Sequence, residues 1–161
     1  MDNLQIAGFY EVSHYRRGFL LNRYKGKNLV TNIGKNTALD ILFRNQTQIA
    51  TWYAGLIDNS GFTAIAAADT MASHSGWTEV TTYDEASRVT WVPTAAASQS
   101  ITNSTTIDFT MNATKTLNGA FFVSNNTKGG TTGTLWSGIS FASSIPVVSS
   151  DLIKLTYTVN M

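Results

Sequence analysis

The run from Leu152 to Val159, LIKLTYTV, constrains this chain more than any other feature, because Leu155, Tyr157 and Val159 alternate with Lys154, Thr156 and Thr158. Side chains along a strand point to opposite faces in turn, so such a run is a strand with one buried face and not an amphipathic helix. Ile107, Phe109 and Met111 repeat the pattern. Further short β runs lie at 50–57, 77–82, 87–92, 118–124 and 134–142, each bounded by turn-forming residues. A chain of about seven to nine short strands with few helical interruptions predicts a mainly β fold, an antiparallel β-sandwich of jelly-roll-like type. Immunoglobulin-like topology is the alternative the pattern leaves open.

Two elements precede these strands. QIAGFYEVSHY (5–15) and FLLNRY (19–24) flank Arg16-Arg17-Gly18, which reads as a hairpin whose glycine supplies the positive φ of a tight turn. In TNIGKNTALDILFRN the apolar residues Ile33, Ala38, Leu39, Leu42 and Phe43 fall near helical spacing, which predicts one helix over 33–44 capped by Thr31 or Asn32. Gly34 argues against it, since an interior glycine costs a helix about 1 kcal/mol relative to alanine. Residues 1–30 are therefore read as a basic hairpin or arm, and 31–161 as the sandwich.

Charged residues are only 13% of the chain, while Ser and Thr number 38 and Asn 13, so the surface is polar through hydroxyls and amides rather than ions. Residues 1–44 hold seven Lys or Arg against three acids; residues 45–161 hold four against seven, so a +4 segment precedes a −3 body. That is too few cations for a nucleic-acid partner, yet enough to bias docking onto an acidic protein surface. With no cysteine there is no disulfide or thiolate metal site. No secretory signal or membrane-length apolar run is read, and cytoplasmic synthesis is expected. The four Asn-x-Ser/Thr triplets, beginning at Asn45, Asn103, Asn112 and Asn125, then follow from composition alone.

A search for chemistry finds no enzyme. Only His14 and His74 are of a residue type that could act as general base near neutral pH. Asp69, His74 and Glu79 match no metal-ligand spacing, Ser73 beside His74 lacks a nucleophile elbow, and Asp84-Glu85 would point to opposite strand faces. Thr127 to Thr134, TKGGTTGT, has its lysine before the glycines and no following helix, so it is read as a hairpin connection rather than a phosphate loop. No cofactor, metal or catalytic residue is expected. Trp52, Trp77, Trp91 and Trp136 lie mostly within strands and read as core; of the adjacent pairs Trp52/Tyr53 and Phe121/Phe122, alternation leaves one member for the outer face. The longest irregular stretch, 58–76, should carry a turn capped by Asp69, with its segment from Phe62 to Ala68 either tucked over the sandwich or docked on a neighbour.

The succession NLVTNIGKNTALDILF, TWYAGLID, DTMASHSGWTEVTTY with Arg88, and NGAFFVSNNTKGGTTGTLWSGISF resembles small structural proteins of tailed bacteriophages and prophages, over about residues 28–143 plus the closing strand. It is similar to jelly-roll capsid cement, or decoration, proteins. The resemblance implies a virion protein on the capsid exterior whose partner is the major capsid protein, without catalysis and with no membrane or nucleic-acid partner. A tail-fibre or spike head that binds host glycans through exposed aromatics is the alternative. A homo-oligomer, dimer or trimer, is expected from the low charge density. The candidate contact residues are His14, Arg16, Arg17, Arg23, Lys25 and Lys27 of the basic hairpin, with Phe62, Met71 and His74 of the long loop.

Overall fold

The computed structural model describes residues 5–161. Eleven strands and one helix run in the order β1 (Ala7–Arg16), β2 (Phe19–Lys27), β3 (Leu29–Val30), α1 (Asn32–Phe43), β4 (Trp52–Asp58), β5 (Glu79–Val80), β6 (Val89–Trp91), β7 (Ser100–Thr102), β8 (Ile107–Thr110), β9 (Lys115–Val123), β10 (Leu135–Val147) and β11 (Leu152–Asn160). They form two antiparallel sheets packed as a sandwich. The first has the order β2-β1-β11, with β7 and β8 sharing the far side of β11; the second has the order β3-β10-β9-β4, with β5 and β6 sharing the far side of β4. The chain passes between sheets after β2, β6, β8 and β10, the jelly-roll-like trait expected of it.

Alternation builds the core. Tyr10 and Val12 of β1, Phe109 of β8 and Ile153, Leu155 and Tyr157 of β11 meet Leu56 of β4, Phe122 of β9 and Ile139 of β10 in one buried cluster. As the alternation of LIKLTYTV requires, β11 is interior, paired with β1 from Leu152 to Asn160 and with β7 and β8 on its other edge.

The boundary at residue 30 does not separate an arm from a body. Nine residue pairs join β1 to β11, from Ala7 with Asn160 to Tyr15 with Leu152, so the first strand is central to its sheet and the N-terminal hairpin belongs to the sandwich. The helix forms as expected, with Thr31 as N-cap accepting from the Gly34 N–H at 3.0 Å. Gly34 sits in the first turn, and its reason is tertiary: a β-carbon there would lie 2.5 Å from the Trp136 carbonyl oxygen. Two strands went unread, β3 and β7, and β10 runs on through Ser143, Ser144 and Pro146 with a register shift between Ser140 and Ile145. Pro146 is tolerated because β3 pairs with β10 only at Ser137 and Gly138, leaving the proline on an unpaired edge.

The second sheet is covered on both faces. Ile57, Phe121 and Val123 turn away from the sandwich core and form a second cluster with Leu135, Met71 and Trp77, onto which Ile33, Phe62 and Ile65 pack. The 58–76 stretch is thus a third layer. Gly138 has no side chain to hinder it: a β-carbon there would meet Ile65 at 2.5 Å.

Candidate interaction surface

The β1–β2 hairpin turns through two residues, Arg17 and Gly18, with φ of 51° and 82°. Positive φ at both positions is the type I′ turn that matches strand twist in two-residue hairpins. Its two strands then diverge in environment. Tyr10, Val12, Ser13 and His14 of β1 are buried, whereas β2 is the edge strand and every residue from Phe19 to Arg23 is exposed. Phe19 is 75% exposed, Leu20 47% and Leu21 46%. Three consecutive apolar residues put side chains on both faces of a strand, and on an edge strand with nothing packed over it all three stay exposed. The basic residues were singled out; Leu20 and Leu21 were not.

The charges of the hairpin are partly neutralised within the fold. Asp151, buried in the β10–β11 turn, accepts from Arg16 Nε and Nη2 at 2.8 Å each, from the Val148 N–H at 3.0 Å, and lies 2.7 Å from His14 Nε2. Burial alone would raise the Asp151 carboxyl, but the hydrogen bonds from Arg16, Val148 and His14 together hold it well below the usual carboxylate range. Glu11 lies 2.7 Å from Lys25 Nζ and 3.3 Å from Arg23 Nε, and Lys27 Nζ sits 5.6 Å above the Phe9 ring. Arg17, at the tip, has no carboxylate at ion-pair distance among the described residues. His14 is 2% exposed and so is no contact residue; it and Arg16 anchor β1 to the β10–β11 turn. The outward surface of the hairpin is Phe19, Leu20 and Leu21 with Arg17, Arg23 and Lys25 beside them.

No protein-family model and no curated protein matches the chain. The functional reading therefore rests on this surface and on the resemblance seen in the sequence.

The second set of candidates behaves differently. Met71 is 2% exposed and belongs to the core of the third layer, while Phe62 packs on the same cluster and stays half-buried. His74 stacks on Trp77 with ring centroids 3.8 Å apart and places Nδ1 3.0 Å from the Trp77 carbonyl. Asp69 ties the loop together in both directions: one carboxylate oxygen accepts from the Ala66 N–H and from Trp77 Nε1, each at 2.9 Å. Asp69, His74 and Glu79 do not converge, because Glu79 is engaged by Arg88 through both carboxylate oxygens, at 2.9 and 2.7 Å.

Sequence reading noted Arg88 without a partner, and its role is structural. Fully buried, it also donates to the carbonyls of Asn125 and Gly130, while Glu79 accepts from the Gly129 N–H. The glycine-rich segment 127–134 is the β9–β10 connection, folded around this ion pair. Lys128 donates to the Tyr83 carbonyl at 2.8 Å and lies 4.1 Å over the Tyr83 ring.

Proposed function

We propose that this chain is a bacteriophage virion structural protein, a capsid cement subunit that bridges and stabilises neighbouring copies of the major capsid protein on the capsid exterior. The observation that supports the reading is the hairpin tip: an exposed apolar edge of Phe19, Leu20 and Leu21 flanked by Arg17, Arg23 and Lys25, a combination of apolar and cationic groups richer in cations than the exposed Leu39, Leu42 and Phe43 of α1. Apolar anchors with cationic groups at the rim are the composition of protein interfaces. Repetition of one modest interface over a symmetric shell raises effective concentration, so individually weak contacts give persistent attachment. The subunit assembles as a dimer or trimer, which light scattering of the purified chain checks.

Co-sedimentation of the purified chain with capsids stripped of it tests the reading. Saturation at on the order of hundreds of copies per particle is expected for repeated lattice sites. Copy numbers at a small multiple of about three or six, the symmetry of tail components, would replace cement with the tail-fibre reading.

A further inference from the structure

At the end of the sandwich where β11 finishes and β4 begins, the sheets and α1 line an apolar cavity of about 460 Å³ that opens to solvent on one side. Trp52, Trp91 and Trp136 from the second sheet and Ile101, Tyr157 and Val159 from the first line it, and α1 with residues 48–51 forms the remaining wall. Its size is that of a small-molecule site, for which about 300 to 1,000 Å³ is usual. No Asp, Glu, Lys, Arg or His side chain lines it among the described residues. An ion entering would lose hydration and gain no counter-charge.

Two of the four polar ring groups in the lining, those of Trp136 and Tyr157, are engaged. Trp136 Nε1 donates to the Tyr157 hydroxyl at 2.9 Å, and that hydroxyl also meets Ser137 Oγ at 3.2 Å. Burial pushes the Tyr157 phenol up to about 12 against the lowering effect of these two partners, so it stays neutral. Thr37 Oγ1 donates to the Ile33 carbonyl within α1. A sugar would bury several hydroxyls here with few partners, which sets this cavity apart from a glycan site. The Trp91 indole Nε1 has no hydrogen-bond partner, but it is buried within the wall and closed to the cavity, so it adds no polar group to the surface a ligand would meet.

We propose that this cavity binds an uncharged, largely hydrocarbon molecule of the long-chain alcohol class, its chain against the tryptophan rings and its hydroxyl at the open side. The site is independent of where the chain docks and stands whether or not the capsid reading does. Three of the four tryptophans line it, so intrinsic fluorescence reports occupancy. The full chain is titrated with 1-decanol and, separately, with decanoate at neutral pH. A saturable one-to-one shift in tryptophan emission with decanol is expected, with decanoate at least about tenfold weaker because its charge has no partner. Leu42→Glu sets a carboxylate at the wall on a residue 58% exposed, so folding is preserved while decanol affinity falls. Absence of saturable binding, equal affinity for decanoate, or decanol binding unchanged in Leu42→Glu would overturn the site.

Discussion

The 58–76 layer and the β1–β2 hairpin both present apolar residues and a histidine in sequence, yet one closes on its own sheet and the other stays open. Trp77 lies 5.0 Å from Phe121 and is fixed by Asp69, while Asn32 N–H donates to the Ala67 carbonyl, tying the loop to the start of α1. The hairpin instead buries its histidine and leaves Phe19 bare. An irregular segment with a sheet face beneath it becomes core, whereas a strand at the end of a sheet has nothing on its outer side. Between these two regions, edge position rather than apolar content decides which one stays open.

The largest effect breaks both regions together. Removing Leu152 to Met161 takes away the strand between β1 and the β7–β8 pair, and loss of cooperative melting and of the β circular dichroism signal is expected; an unchanged melt would refute the interior placement. Next, Trp77→Ala opens the closed layer alone. Truncating a buried tryptophan costs about 3 to 5 kcal/mol, readable as a lower urea midpoint.

A third measurement separates the anchor from the tip. Asp151 has a lower pKa folded than unfolded, where it titrates near about 3.9, so its contribution is present above that value and is lost as pH falls through the folded one. Asp151→Asn should lower stability at neutral pH and flatten its decline below roughly pH 4. Because Arg16 serves that anchor, reversing its charge would weaken the fold as well as any docking. Arg17 and Phe19 are the cleaner probes: Arg17→Glu with Phe19→Ser should change stability by no more than about 0.5 kcal/mol each, yet reduce attachment to stripped capsids and its salt sensitivity. Undiminished binding at low salt would move the contact away from the hairpin tip.

Sequence alone determined the strands that own a complete period: β8 and β11 alternate so strictly that their inner faces were legible, and Gly18 after Arg16-Arg17 marked the hairpin because glycine accepts a positive φ. Tertiary structure alone decided the rest. Strands of two or three residues such as β3 and β7 exist only as partners of β10 and β11, too short to show a period. That Phe121 faces outward and is nevertheless buried, that Arg88 finds Glu79, and that Asp151 gathers His14 and Arg16 across 137 and 135 positions of chain are long-range facts. Alternation says which residues share a face; what covers that face depends on where distant segments are brought, and no local pattern carries that information.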